Sequence, residues 1–107
     1  MEDYKVIWTK SAKKDLEEII DYISLDSIEK AFEQLKKIKE KAKTLSTFPQ
    51  QGRIIPELSN QNIIKYRELI VSPWRLMYKI EGNIVYVMAV IDGRRNIEDL
   101  LLKRQLR

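Results

Sequence analysis

The 107-residue sequence contains neither cysteine nor histidine. The absence of cysteine excludes disulfides, thiolate catalysis and cysteine-ligated metals, and it suits a reducing cytosol. The absence of histidine removes the usual general base near neutral pH and the commonest metal ligand. Ser-His-Asp and Cys-His mechanisms are therefore excluded, and we predict that the protein uses neither a metal nor another cofactor.

Glycine and long apolar runs are scarce as well. The three glycines, at positions 52, 82 and 93, lie too far apart to form a glycine-rich phosphate loop. No run approaches the roughly 20 apolar residues of a membrane span, and the N-terminal residues do not resemble a signal peptide. We therefore predict a cytoplasmic protein without a membrane partner, and the length suits a single domain over residues 1–107.

Charge is divided unevenly along the chain, whose formal net charge is +4. Residues 1–50 hold ten lysines and ten acidic residues, whereas residues 51–107 hold ten basic and six acidic residues. All seven arginines lie in the second part. Arginine presents a planar fork of donors that suits phosphate. The second half is therefore predicted to meet an anionic partner, although a preference of sheets for arginine would give the same distribution.

The first half is predicted to begin with a strand and a helix. Tyr4 to Trp8 is rich in aromatic and β-branched residues, as a strand would be. Over residues 10–24 apolar side chains recur at spacings of three and four, which indicates an amphipathic helix. Thr9 is the predicted N-cap of that helix, and Ser11 is a second candidate.

A second helix is predicted after a break at residues 25–27. Asp26 and Glu29 resemble a capping box at its start. The apolar face of this helix is predicted to consist of Ile28, Ala31, Phe32, Leu35, Ile38, Ala42 and Leu45. Phe32, together with Tyr22 and Trp8, is assigned to the core because all three lie on periodic apolar elements.

The second half is predicted to form an antiparallel meander. Its three strands are Tyr66–Val71, Trp74–Ile80 and Ile84–Ile91, separated by Ser72-Pro73 and by Glu81-Gly82-Asn83. In the middle strand the apolar residues alternate with Arg75, Met77 and Lys79, so one face of that strand carries cations. Arg67 shares a face with Leu69 and is predicted to form a structural ion pair with an acidic residue of a helix.

The predicted fold class is therefore α+β: an N-terminal strand, an antiparallel helix pair, the three-stranded meander and a short C-terminal helix capped by Asn96. Residues 54–62 are predicted to be an irregular connection. The two long helices should cover one face of the sheet, which would leave Arg75 and Lys79 on an open face. The short terminal helix would add apolar contacts through Leu100, Leu101, Leu102 and Leu106.

A cationic face flanked by aromatic residues suits phosphates, bases or acidic peptide segments. RNA cleavage through the 2′-hydroxyl needs a base, an acid and stabilisation of the charged phosphorane. Stabilisation is the part that Arg75, Arg94 and Arg95 would supply. The sequence offers weaker candidates for the base, namely Tyr66, Glu68 or a Lys79 with a depressed pKa.

Five segments, in order along nearly the whole chain, resemble the RelE/ParE toxin superfamily. They are Trp8–Ile23, Phe48-Pro49-x-x-Gly52-Arg53, Tyr66–Leu69, Trp74–Ile80 and Gly93–Asn96. The resemblance implies the toxin of a bacterial type II toxin–antitoxin module, with growth inhibition and plasmid stabilisation as its expected effects. It also implies a cognate antitoxin, partly disordered until it wraps the toxin in a hetero-oligomer and masks the basic surface.

The superfamily has two branches with different targets. RelE-like members cleave mRNA on the ribosome, and ParE-like members inhibit DNA gyrase without being nucleases. In the RelE-like pattern Arg75 and one of Arg94 or Arg95 would be catalytic, assisted by a Tyr or His near the C-terminus. This sequence has Leu100 or Leu101 at about that place, and its loop and Arg-Arg-Asn ending look more ParE-like.

We therefore predict a gyrase-inhibiting toxin, with ribosome-dependent mRNA cleavage as the alternative and a non-toxic antitoxin-binding module as a further one. Whether the chain is an enzyme stays open at this point. The residues predicted to contact a partner are Arg53, Arg75, Lys79, Arg94 and Arg95, and those predicted to act in catalysis, should it be a nuclease, are Arg75, Arg94 and Arg95.

Overall fold

The computed structural model describes residues 3–104 and contains five strands and four α-helices within that range. The strands are β1 (Lys5–Trp8), β2 (Arg53–Ile54), β3 (Tyr66–Val71), β4 (Trp74–Glu81) and β5 (Ile84–Asp92). The helices are α1 (Lys10–Ser24), α2 (Ile28–Lys43), α3 (Pro56–Ser59) and α4 (Ile97–Lys103). A short 3₁₀ turn, Thr44–Ser46, follows α2.

All five strands form one sheet in the order β1-β5-β4-β3-β2. The predicted meander is confirmed as its centre, since β3, β4 and β5 pair antiparallel in sequence order. β1 pairs parallel with β5 at one edge, and the two-residue β2 pairs antiparallel with β3 at the other. β2 was not predicted, because two residues are too short to show the alternation that identifies a strand.

The long helices begin at side-chain caps. The Thr9 hydroxyl accepts from the Ala12 backbone N–H at 3.2 Å, as predicted. The predicted capping box at Asp26 is wrong, because Ser27 lies immediately before α2 in an extended conformation and accepts from the Lys30 N–H at 3.2 Å. Asp26 instead forms an exposed ion pair with Lys30.

α1 and α2 pack against one face of the sheet, as predicted. Ala12 and Leu16 of α1 and Ile38 and Ala42 of α2 are buried in one apolar cluster with side chains of β3, β4 and β5. Trp8 packs against this cluster and is partly buried, which agrees with its assignment to the core.

The assignment of Tyr22 and Phe32 to the core is wrong, because their side chains are 76% and 66% exposed. At that turn of α2 it is Ala31, only 3% exposed, that points inward. One step along a helix rotates the side-chain direction by about 100°, so an apolar stripe broad enough to include both residues does not reveal which of them faces the core.

The opposite face of the sheet is not open, which corrects the prediction for it. Two short helices cover it. The residues buried against it are Ile55, which caps α3, Leu58 of α3, and Ile97 and Leu101 of α4. The residues of the sheet in this second cluster are Tyr66, Met77, Ala89 and Ile91. The connection looked irregular in the sequence because its helix has a single turn. Leu106, which was predicted to add to these contacts, lies outside the described residues.

Candidate functional site

Arg75 is the second residue of β4 and lies on the face that α3 covers. Its Nε donates to Glu68 Oε1 at 2.6 Å. Its two terminal nitrogens donate to the two carboxylate oxygens of Glu57 at 2.8 and 2.7 Å, a bidentate pair. The side chain is only 9% exposed. The expectation of an accessible Arg75 is therefore wrong, because the one-turn helix α3 brings a carboxylate over it.

The pairing continues from Glu68 to a second arginine. Arg53 and Glu68 are directly opposite on β2 and β3, and Arg53 Nε donates to Glu68 Oε2 at 2.7 Å. The Glu68 side chain is fully buried, whereas that of Arg53 is 59% exposed. Arg53, Glu68, Arg75 and Glu57 thus form a chain of alternating charge in which every buried charge has a partner, as burial requires. We call these four residues the charge network.

The charge network stabilises the ionised forms of Glu57 and Arg75. The hydrogen bonds from Arg75 lower the pKa of the Glu57 carboxyl below its usual value. The hydrogen bonds to Glu57 and Glu68 raise the pKa of Arg75. Both carboxylates occupy the arginine, so an RNA phosphate would have to displace the bidentate Glu57 carboxylate to reach it.

The predicted bases are no better placed for catalysis. Tyr66 and Glu68 share a strand face, as predicted, but both are buried, 4% and 1% exposed. Lys79 forms an ion pair with Glu81 at 2.6 Å and lies over the ring of Tyr86 at 5.7 Å. The hydrogen bond to Glu81 raises the pKa of Lys79 rather than lowering it, which is the wrong direction for a general base near neutral pH.

Arg94 and Arg95 follow β5 and are both exposed. Arg94 forms a bidentate ion pair with Asp92, at 3.0 and 2.7 Å, and its side chain is 78% exposed. That pairing lowers the pKa of Asp92 to about 2. Arg75 and Arg94 are thus held by different carboxylates. The backbone at Gly93, next to Arg94, nevertheless passes close to the Arg75 side chain, since a Cβ on Gly93 would lie 3.3 Å from it.

A family model described as the ParE toxin of the type II toxin–antitoxin system, parDE, matches residues 6–97. This chain belongs to the ParE toxin family. Toxin ParE3 of Caulobacter vibrioides is 30% identical over 101 residues, which cover 94% of this chain and 97% of that protein. The predicted membership of the RelE/ParE superfamily, on its ParE-like side, is confirmed.

Solved structures agree with the fold. A chain of the chromosomal ParDE toxin–antitoxin system from P. aeruginosa superposes with a TM-score of 0.68 and is 25% identical, covering 83% of this chain and 95% of that one. A chain of the RelBE2 toxin–antitoxin complex from Mycobacterium tuberculosis gives a TM-score of 0.61 at 21% identity, covering 86% and 93%. The latter likeness is one of fold alone. The predicted α+β architecture is thus shared with toxin–antitoxin proteins.

The Phe-Pro-x-x-Gly-Arg loop that this ParE toxin shows has a structural role. The Gly52 N–H donates to the Tyr78 hydroxyl at 3.0 Å, and that hydroxyl donates to the Pro49 carbonyl at 2.7 Å. A Cβ on Gly52 would lie 2.5 Å from the Glu68 carbonyl oxygen, so no larger residue fits there. Arg67 donates to the Gly52 carbonyl at 2.8 Å, which corrects the prediction that it pairs with a helix carboxylate.

A second ion pair ties the C-terminal helix of the toxin to α1. Asp15 is only 8% exposed and accepts from the Val90 N–H at 3.0 Å and from both terminal nitrogens of Arg104. The hydrogen bonds to Asp15 raise the pKa of Arg104. Sequence reasoning missed this pair, and it missed Glu57, because contacts across 89 and 18 positions leave no local periodic signal.

A groove of about 650 Å³ runs between β1 and the helix pair. Its apolar lining comes from Val6, Trp8, Leu16, Ile20 and Leu35. Lys13, Lys39 and Lys43 border it, together with Glu17 and Asp21. The groove lies at an edge of the sheet, because β1 pairs only with β5. An extended or helical segment with apolar and acidic residues would fit such a surface.

Neither a metal site nor a membrane span is found in the described part of the chain. Within residues 3–104, no three His, Cys, Asp or Glu residues are grouped so as to hold a metal ion. In the same range, no helix is long and apolar enough to cross a membrane.

Proposed function

We propose that this ParE toxin acts by binding DNA gyrase, without cleaving RNA, and that a cognate antitoxin neutralises it. The observation that carries the proposal is the state of Arg75, whose guanidinium is buried and bound on three nitrogens by Glu57 and Glu68. Membership of the ParE family supports the toxin role, and the resemblance to ParE-like members supports gyrase as its target.

The alternative, RNA cleavage, would need free groups in one place. Arg75 is occupied, Lys79 is paired with Glu81, and Tyr66 and Glu68 are buried. Removing one acid–base group costs a nuclease about 10²–10⁴ in rate. A site in which the base is missing and the central arginine is neutralised favours a toxin that acts by occupying a protein surface.

The antitoxin is proposed to bind at two places. An apolar, acidic segment would fit the groove bordered by Lys13, Lys39 and Lys43. Among the arginines predicted to contact a partner, Arg94, Arg95 and the half-exposed Arg53 are accessible. These residues would pair with antitoxin carboxylates, whereas Arg75 and Lys79 keep their partners within the toxin. The result would be a toxin–antitoxin hetero-oligomer.

A supercoiling assay tests the proposal. Relaxed plasmid is incubated with gyrase of the native host, ATP and rising concentrations of the purified toxin. We expect supercoiling to stop, and to be restored by an equimolar amount of the cognate antitoxin. Full supercoiling at a micromolar excess of folded toxin would contradict gyrase as the target.

Expression of the toxin in cells distinguishes the alternatives. After the toxin is induced in cells, primer extension on abundant transcripts should show intact mRNA while growth stops. Cuts positioned by codon, lost in an Arg75→Lys variant that is still folded, would instead indicate a ribosome-dependent nuclease. Unimpaired growth without antitoxin would indicate an antitoxin-binding module that is not toxic.

A further inference from the structure

Four large apolar side chains are exposed where α1 turns into α2. Tyr22, Leu25, Ile28 and Phe32 are 76%, 85%, 66% and 66% exposed, and we call these four residues the hairpin tip. They lie in the last turn of α1, in the connection and in the first two turns of α2, at one end of the helix pair.

Packing within the chain does not account for the hairpin tip. The inward positions at this end are taken by Ala31, which is buried, and by Ile19 and Ile20, which are partly buried. Elsewhere on these helices the exposed positions carry mostly lysine and glutamate, as on a solvated helix face. Contiguous exposed apolar residues rimmed by polar ones are typical of a surface that binds another protein.

The charge around the hairpin tip is opposite to that of the whole chain. Residues 17–33 contain six acidic residues and one lysine, a formal charge of −5 in a chain whose net charge is +4. All six acidic side chains are exposed, and they are Glu17, Glu18, Asp21, Asp26, Glu29 and Glu33. The single lysine, Lys30, is paired with Asp26. The surroundings of the tip are therefore mainly acidic, and the nearby cation Arg94, which lies close to Tyr22, is itself paired with Asp92.

This charge decides between partners. Nucleic acid would be repelled from the tip, because its phosphates carry the same sign of charge as the six carboxylates. A protein surface with an apolar centre and lysine or arginine around it would be complementary in both respects.

We infer that the hairpin tip is the surface with which the toxin docks on its target, at a basic face of that protein. The inference rests on the proposed function, in which the target is a protein. If the target is gyrase, the matching face is one that contacts DNA, since an enzyme that holds DNA presents cations to its phosphates. Toxin and DNA would then compete for the same gyrase surface. The antitoxin segment in the groove would contact residues other than the four of the tip, none of which lines the groove.

The experiment compares two double variants of matched chemistry. Leu25→Ser/Phe32→Ser removes apolar area from the tip, and Phe48→Ser/Ile64→Ser removes it from other exposed sites, which are 60% and 65% exposed in the toxin. Circular dichroism and thermal melting establish that both variants fold. The tip variant should need at least about tenfold more protein for half-inhibition of gyrase supercoiling, because central apolar contacts carry most of an interface's affinity. The control variant should inhibit like the wild type.

Two further measurements sharpen the assignment. Asp26→Lys/Glu29→Lys/Glu33→Lys should weaken inhibition as well, and raising the DNA concentration should weaken inhibition by the wild type. The tip variant should bind the antitoxin as tightly as the wild type does. Loss of antitoxin binding together with loss of inhibition would assign the tip to the antitoxin and overturn the inference.

The outcomes separate this inference from the proposed function. If the wild type inhibits gyrase and the tip variant inhibits it equally, the tip is not the docking surface although the target is correct. If the wild type leaves gyrase active but stops growth, the target is not gyrase. A tip variant that is harmless and still binds the antitoxin then supports the tip as the docking surface, and a tip variant that is as toxic as the wild type refutes that inference. A wild-type toxin that affects neither gyrase nor growth refutes both the inference and the proposed function. If the wild type forms a dimer and the tip variant is a monomer, the tip serves self-association, which would refute the inference.

Discussion

Arg75 and Arg94 were expected to serve one site, and the structure gives them opposite surroundings. Both make a bidentate pair with a carboxylate, but the Arg75 side chain is 9% exposed and that of Arg94 is 78% exposed. Water competes with the Asp92 pairing and screens it, whereas the partners of Arg75 are shielded. The same kind of bidentate ion pair thus belongs to the folded framework at Arg75 and to the solvent-exposed surface at Arg94.

The comparison also separates structure from recognition. The charge network links β2, α3, β3 and β4 and is already neutralised within the chain. Arg94 and Arg95 follow the end of β5 in a turn, and both side chains are exposed. We therefore expect substitutions in the network to change stability first, and substitutions at the turn to change partner binding first.

The largest effect is expected for Arg75→Ala. It leaves Glu68 buried with only the exposed Arg53 as a partner, and breaking a buried pair by removing one member costs about 3–5 kcal/mol. Urea unfolding followed by circular dichroism measures this loss. Arg75→Met combined with Glu68→Met should recover much of it, because the unpaired buried charge is then gone. A single variant as stable as the wild type would show that the network is not part of the framework.

Measuring the free energy of unfolding against pH should reveal the contribution of the Glu57 carboxylate to stability. Its pKa is lowered in the folded protein by Arg75, so the contribution is present above the unfolded value, about 4.5, and is lost as the pH falls through the folded pKa. The free energy of unfolding should therefore drop below that pH, and it should drop less in Glu57→Gln. Equal acid sensitivity of the two proteins would mean that Glu57 is not held in this way.

Arg53→Ala tests the exposed end of the same network. The Arg53 side chain is 59% exposed and Glu68 keeps its pairing with Arg75. Partly exposed pairs contribute at most about 1 kcal/mol, so chemical unfolding should show a loss well below that of Arg75→Ala. A loss as large as that of Arg75→Ala would make Arg53 an equal member of the framework.

The smallest effect on stability is expected for Arg94→Ala. Its pairing with Asp92 is at the surface, so the melting temperature should be unchanged. The affinity for the antitoxin should fall, as measured by calorimetry, and should fall further in Arg94→Ala/Arg95→Ala. Unchanged affinity in the double variant would remove this turn from the proposed antitoxin surface.

Local sequence patterns predicted the parts of the fold that local forces build. The N-cap at Thr9, both long helices and the three strands of the meander follow from spacings of three, four or two residues and from turn residues. The cap at Asp26 was assigned one residue too early, because Asp26 and Ser27 are both good caps and only the backbone conformation at Ser27 distinguishes them. The resemblance of five segments to the RelE/ParE superfamily was specific enough to give the family.

The sequence by itself determined which kinds of catalytic and metal-binding side chain are present, the order of the main helices and strands, and the excess of arginine in the second half. Only the tertiary structure decided what each arginine does, because a carboxylate 7 or 18 positions away reaches Arg75 through the sheet and α3. Ion pairs between elements are set by strand register and helix placement, which no local periodicity encodes. Arg75 of β4 is therefore part of an interior network, and four exposed apolar residues lie at the hairpin tip, where Tyr22 and Phe32 had been predicted to lie in the core.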